Sequence, residues 1–346
     1  MTAALPGIGL LANVGITPAG TVDLAREIEQ AGFAGVWIVE YEYDATAIAQ
    51  AVASGLEVAV TGTCITRAFT RHPISMAETA ALIDCLAPGR FVIGLGTGPL
   101  KAADPKLDRQ RWGQEWDRPV ARMREYLQVL RLALSGEMIS YEGEFYDLKN
   151  IQLDLLPASG HVPIYIAAGG ERMSQVAGAE ADGVFVHLAN REMTERSLAA
   201  VAEGARQAGR DAGQIEFSNL IMTCVDEDRD AAYAAMRHYL VDFYLNMPSY
   251  QKVIERAGYV DTANTIRERL GSGDMAGASD SIPDALVDEF TVVGTPEECE
   301  QKLAEIVSWG TTMPIVYPFP SRGDWLDCYR RTLEAFAGIP VAGTEE

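Results

Sequence analysis

Short apolar runs alternate along this chain with longer stretches whose apolar positions recur every three to four residues. Residues 7–11, 35–39, 57–65 and 90–95 are runs of the first kind, brief and rich in branched side chains, which is how strands buried on both faces read. Between them, residues 21–31 carry Val22, Ala25, Ile28 and Glu29 at helical spacing and stop at Gly32. Residues 45–54 give a short helix, and His72-Pro73 opens another over 74–86, ended by Ala87-Pro88-Gly89. The alternation resumes with strands at 163–168, 184–187, 214–225 and 313–317. Helices are expected from Gly169-Gly170, over 193–209, from Thr295-Pro296-Glu297-Glu298 to Trp309, and over 324–336. The Thr295 segment has the spacing of a capping box with proline at the first helical position. Strand, helix, strand at these intervals predicts right-handed βαβ units and an α/β fold with a parallel sheet. The first strand is not followed by the GxGxxG of a dinucleotide-binding open sheet, so a closed barrel is the better expectation.

Three stretches exceed what a plain strand–helix repeat needs. Residues 101–131 follow the fourth strand and hold eight lysines and arginines against five aspartates and glutamates. Trp112 and Trp116 lie among them, before Asp117 and Pro119 start a helix with Met123, Leu127 and Leu130 inward. Residues 140–157, YEGEFYDLKNIQLDLLP in their aromatic part, read as a hairpin or cover before the fifth strand. After the seventh strand, residues 226–289 contain AAYAAMRHYLVDFYLNM, SYQKVIERAGY and ANTIRERL. These are three amphipathic patterns divided by Pro248, Gly258 and Gly271-Ser272-Gly273. We read them as a helical insertion, a lid or subunit contact, with Tyr239, Phe243, Tyr244 and Tyr250 facing core or substrate. No shift in composition marks a boundary, so residues 1–346 are expected to form one domain with a single large core.

Composition narrows the partners. A net charge of −21 disfavours nucleic acid and anionic membranes as partners and leaves a small-molecule substrate. Cys64, Cys85, Cys224, Cys299 and Cys328 are odd in number with no CxxC, the pattern of reduced thiols in a cytoplasmic protein without a metal site. No apolar run reaches the length of a membrane helix and the first residues carry no leader pattern. A homodimer or higher homo-oligomer is expected.

Candidate chemistry collects at strand ends. Arg90 to Leu95 runs into Gly96-Thr97-Gly98, where glycine lets a flat ligand approach the backbone and the hydroxyl can bond it; a tight turn without ligand is the alternative. Ala168, Gly169, Gly170, Glu171, Arg172 and Met173 form a glycine-led helix start of the kind that binds phosphate, or one that needs glycine only for packing. His187 ends the sixth strand. With four histidines in the chain, it is the best general acid/base candidate, expected to titrate near pH 6–7.5, against the alternative of a structural strand-end histidine.

Several segments together carry a family resemblance. AGFAGVWIVE, TGTCITRAFTRHP, LAPGRFVIGLGTG, WDRPVARMREYLQVLRLAL, PIYIAAGGERMSQVAGAEADGVFVH and FTVVGTPEECEQKL resemble the luciferase-like family of flavin and deazaflavin enzymes, over nearly the whole chain. The likeness is greatest to the branch that uses coenzyme F420, which includes methylenetetrahydromethanopterin reductase. The resemblance implies a (β/α)8 TIM barrel, here with insertions after strands four and seven and before strand five, and a cofactor in the mouth at the strands' C-terminal ends. It places Cys64-Ile65 at a bulge in the third strand, often with a non-prolyl cis peptide under the cofactor ring. Glu40 stands where sugar-phosphate dehydrogenases of the family have Asp, but Tyr41 replaces their catalytic His and Pro99 their Glu. Those departures argue against sugar-phosphate chemistry.

The resulting expectation is an oxidoreductase moving hydride between coenzyme F420 and a small organic substrate. Cys64, Ile65, Gly96, Thr97 and Gly98 would hold the ring, Ala168 to Met173 the phosphate, and Glu40 and His187 the reacting face. The basic segment after strand four, with Arg67 and Arg71, would form a rim for the cofactor's anionic tail, against the alternative of an ordinary solvated helix face. An FMN-dependent monooxygenase of the same fold is the second reading, and a non-catalytic flavin-binding protein the third.

Overall fold

The computed structural model of the chain describes residues 6–11, 15–41, 43–98 and 117–337. In chain order the strands are β1 (Gly7–Leu11), β2 (Gly35–Val39), β3 (Val60–Thr63), β4 (Thr66–Arg67), β5 (Phe91–Gly96) and β6 (Ile139–Glu142). They continue with β7 (Asp147–Ile151), β8 (Ile164–Ala167), β9 (Gly183–His187), β10 (Glu216–Val225), β11 (Val292–Gly294) and β12 (Met313–Pro318). Strands β1, β2, β3, β5, β8, β9, β10 and β12 pair in that order, every pair parallel, and β12 returns to β1. This closes the (β/α)8 TIM barrel that the alternation of patterns and the family likeness led us to expect.

Strand parity divides the apolar residues between two cores. Outward-facing Ile8, Leu10, Val36, Ile38, Ile93 and Ile166 pack against the surrounding helices. Inward-facing Trp37, Val92, Phe185, Leu220 and Tyr317 fill the barrel and run on into the helices that follow β10. Glycines on the inner face make the aromatic filling possible. A Cβ on Gly62 would stand 2.5 Å from the Trp37 ring, and one on Gly183 2.7 Å from Tyr165. Trp37 therefore nests against Tyr165 and Phe185, with ring centroids 6.0 and 5.4 Å away.

Helix starts follow the caps written in the sequence. Thr17 accepts from Gly20 N–H, and His72 Nδ1 from Ile74 N–H. Asn190 caps Arg191–Gln207, two residues earlier than the periodicity indicates, and Thr295 and Glu298 form the complete capping box. The third strand departs from expectation at its start. Residues 57–59 are not strand, because the Glu29 carboxylate takes the backbone N–H groups of Glu57, Val58 and Ala59 at 2.8 to 3.2 Å. At the place where the resemblance sets a bulge, Cys64-Ile65, the strand breaks and resumes as β4, which pairs with Leu95 and Gly96.

Between Pro119–Leu134 and β8, strands β6 and β7 form an antiparallel hairpin, held where Glu125 accepts from the N–H groups of Glu144 and Phe145. After β10 come helices at Arg229–Tyr239, Pro248–Arg256, Val260–Gly271, Met275–Asp280 and Asp284–Phe290. The longest of the three sequence patterns there splits, its second half forming a π-helical segment, Leu240–Leu245. Met275–Asp280 and Asp284–Phe290 escape a periodicity search because each spans two turns or fewer.

Candidate active site

The C-terminal ends of the barrel strands bring most of the singled-out residues to one mouth. At the end of β3 the Cys64-Ile65 peptide bond is cis. Cys64 is buried, and burial pushes its thiol well above the usual range. Gly96 sits opposite this bulge, but the space beside it is taken: a Cβ there would lie 2.7 Å from Ile65 Cδ1. Its glycine is required by Ile65, a correction to the expectation of open backbone for a ligand. Gly98 has φ +78°, a conformation that favours glycine, and lies along the aliphatic stem of Arg67. Thr97 Oγ1 donates to Gly98 O at 3.4 Å.

Glu40, at the end of β2, is not a free acid/base. Its side chain is 5% exposed and meets Arg67 Nε at 3.6 Å and Arg71 Nη2 at 3.1 Å. Thr66 Oγ1 donates to Glu40 Oε2 at 2.6 Å, and Ala45 N–H at 3.4 Å. Both carboxylate oxygens are engaged, so the residue ties the loops after β2 and β4 together. The expected place at the reacting face gives way to a positioning role. Arg71 is further bound by Asp44 at 2.9 Å. Pro99 and residues 101–116 of the basic segment lie outside the described residues.

After β8 the chain turns at Ala168-Gly169-Gly170 into the helix Glu171–Glu180. No side chain caps this helix, and Gly170 O accepts from Met173 and Ser174 N–H. A Cβ on either Gly169 or Gly170 would meet nothing within 4 Å. Gly170 is extended, with φ −172°, a shape any residue adopts. These glycines thus leave open space before an uncapped helix N-terminus, a cradle that a side chain would fill. Ala168 and Met173 are buried beneath it, whereas Glu171 and Arg172 are exposed.

His187 lies at the inner end of β9. Its Nδ1 is 2.7 Å from Leu220 O, and since a carbonyl only accepts, Nδ1 carries the proton. Nε2 is then a lone pair, buried and without a hydrogen-bond partner. Burial pushes the imidazole down to about 4, partly opposed by the Leu220 bond, so the ring is neutral at pH 7. This corrects the expected ionisation near pH 6–7.5.

The insertion closes over this histidine. The Tyr244 ring is 4.5 Å and the Tyr250 ring 6.2 Å from His187. Tyr244 and its neighbour Phe243 both lie on the π-helical segment, a geometry common at functional sites, and Phe243 packs 5.4 Å from Tyr41. Tyr244 packs against the inner core that holds Cys64 and Tyr317, and burial pushes both tyrosine hydroxyls well above their usual range. Glu289 fastens the insertion to the loop after β9, accepting from Asn190 Nδ2 at 2.5 Å and from Tyr259 at 2.7 Å. Sequence reasoning left Tyr244 between core and substrate and did not single out Tyr317. A tyrosine next to last in an inward-facing barrel strand was the available signal.

A sequence profile of luciferase-like monooxygenases matches residues 2–313. The chain belongs to this family. Among curated relatives of this luciferase-like chain, 5,10-methylenetetrahydromethanopterin reductase of Archaeoglobus fulgidus is 28% identical over 294 residues, 83% of this chain and 86% of that protein. The reductase of the same name from Methanopyrus kandleri is 29% identical over 316 residues, 86% of this chain and 88% of that one. The solved structure of the coenzyme F420 dependent tetrahydromethanopterin reductase from Methanopyrus kandleri superposes with a TM-score of 0.83 at 26% identity, covering 98% of this chain and 99% of that one.

Proposed function

We propose that this luciferase-like chain is an oxidoreductase that binds coenzyme F420 and exchanges hydride with a small organic substrate in the barrel mouth. The observation that carries the reading is the open cradle at Gly169-Gly170 before an uncapped helix, set in a chain akin along its length to F420-dependent reductases. Backbone N–H groups at such a turn and the helix dipole favour a phosphate by about 0.3–2 kcal/mol, and the missing side chains leave room for it. Ala168 and Met173 would support that turn from below, and Glu171 and Arg172 flank it.

When bound, the deazaflavin supplies the two-electron hydride chemistry itself. The protein's share is placement. The Cys64-Ile65 bulge with Thr97 and Gly98 would bear the ring. Glu40, through Arg67 and Arg71, fixes the loops on either side. His187 presents a neutral acceptor at Nε2, and the rings of Tyr244 and Tyr250 keep water from it. Mixing the purified protein with F420 and, separately, with FMN decides between cofactors. Quenching of deazaflavin fluorescence at stoichiometric protein supports the reading; tight FMN binding with none of F420 replaces it with the monooxygenase reading.

A further inference from the structure

The cradle at Gly169-Gly170 is backed by a buried polar chain that the placement of the cofactor does not use. Ser174, 1% exposed, is the fourth residue of the helix Glu171–Glu180. Its Oγ is 3.3 Å from Gly170 O and 2.9 Å from the Oγ of Ser197, a buried residue on the helix Arg191–Gln207. A carbonyl only accepts, so the Ser174 proton goes to Gly170 O. Ser174 has no second proton, which makes Ser197 the donor between the two hydroxyls. The chain therefore runs one way, from Ser197 to Ser174 and from Ser174 to Gly170 O. The N–H groups of Met173 and Ser174 reach the same carbonyl at 3.1 and 3.0 Å.

The other side of that peptide faces the cradle. A trans peptide sets its C=O and N–H in opposite directions. Gly170 O points into the helix, so Glu171 N–H points out of its N-terminus, among the donors that a helix start leaves without an intrahelical partner. Each hydrogen bond accepted by Gly170 O draws electron density to the oxygen and makes that N–H a stronger donor. The helix is also held against sliding. A Cβ on Gly178 would stand 2.0 Å from Val201 O, and one on Gly204 2.0 Å from Gln175 O, so the two helix backbones touch. A serine bonded to the carbonyl four residues back is mildly unfavourable to a helix and recurs at Ser279, which donates to Met275 O at 3.0 Å. At Ser174 the bond falls on the peptide that opens the cradle, and a second helix adds its own hydroxyl behind it.

We propose that Ser174 and Ser197 are positioning residues for the cofactor's phosphate, aiming and polarising the Glu171 N–H that meets it. The proposal rests on the assignment of the phosphate to the Gly169-Gly170 turn. Neither serine touches the ligand, because both lie buried behind the first turn of the helix. Their effect is carried by one peptide group, so it acts on an anion at the helix start and on nothing held elsewhere in the mouth. A ligand without a phosphate gains nothing from the chain of hydroxyls.

The test titrates the full-length protein with F420 and with the deazaflavin riboside that lacks the phosphate, read by fluorescence quenching, while amide proton–nitrogen spectra follow Glu171. In the wild type F420 should move the Glu171 amide proton downfield and the riboside should not. Ser174→Ala should weaken F420 about 3- to 10-fold, the loss of one hydrogen bond, and shrink the Glu171 shift, with riboside affinity unchanged. Ser197→Ala keeps the bond to Gly170 O and strands no donor, so its fold should stand. It should weaken F420 about 2- to 3-fold, again with the riboside unchanged. Ser279→Ala, away from the cradle, should alter neither ligand. Equal losses of F420 and riboside in the two cradle variants, full F420 affinity with an undiminished Glu171 shift, or the same F420 loss in Ser279→Ala overturns the proposal. A Glu171 amide unmoved by F420 in the wild type overturns instead the phosphate assignment, a result seen before any variant is made.

Discussion

His187 shows how one side chain's role is fixed by its neighbours. A folded-state value of about 4 lies below the ordinary 6.5 of histidine. As pH falls through that window the unfolded chain takes up a proton first, so the contribution is fully present above pH 6.5 and is lost on the way down to 4. The full span corresponds to about 3 kcal/mol. Urea unfolding at pH 7 and pH 5 should show the wild type losing stability more steeply than His187→Asn, which does not titrate there. Parallel pH slopes in the two proteins would contradict a neutral buried ring. The turnover profile, for the same reason, should show no His187 inflection between pH 6 and 7.5. At Gly170 the open space leads to a different expectation. Gly170→Asp needs no unusual backbone and meets no neighbour, so circular dichroism and melting temperature should stay near wild type. Its carboxylate stands where the phosphate belongs, and F420 affinity should fall at least about tenfold, on the scale of a buried like-charge contact. Retained affinity would remove the phosphate from this turn.

Among elements, the insertion is the least self-sufficient. It reaches the barrel through the rings of Tyr244 and Tyr250 against His187 and through Glu289, which joins Tyr259 to Asn190. Glu289→Ala removes two hydrogen bonds to a charged acceptor, about 3–6 kcal/mol between them before any relaxation. Amide exchange over residues 229–290 should accelerate while the barrel strands stay protected, and Glu289→Gln, which keeps an acceptor oxygen, should fall between. Uniform exchange across the whole chain would show that the insertion is not a separately loosened unit. Legibility differed sharply between elements here. The capping box at Thr295 was readable because its partners are three residues apart. The loss of strand at residues 57–59 was not, since Glu29 intervenes from a distant helix, whereas the break at Cys64-Ile65 was legible through the family resemblance.

At the scale of the whole molecule, a net charge of −21 meets a cofactor with an anionic tail. The described arginines at the mouth are largely committed, Arg71 to Glu40 and Asp44 and Arg67 to Glu40. Residues 101–116 of the expected rim lie outside the described residues. Polyglutamylated F420 should bind more tightly than a form lacking the glutamate tail at low salt, with the advantage fading once screening acts over about 8 Å. Equal affinities in dilute buffer would dismiss the rim. The sequence alone determined the barrel's eight strands, most helix starts, the glycine-led turn at Gly169-Gly170 and the family. All of these are local patterns, set by the period of a strand, a helix or a cap. Tertiary structure decided which groups met. Glu40 became a tied carboxylate because Thr66 and Arg71 reach it from 26 and 31 residues away. Gly96 proved to serve Ile65, His187 lost its charge to burial, and Tyr244 came to lie against His187. Protonation and hydrogen bonding depend on the atoms across the gap, and chain order does not record them.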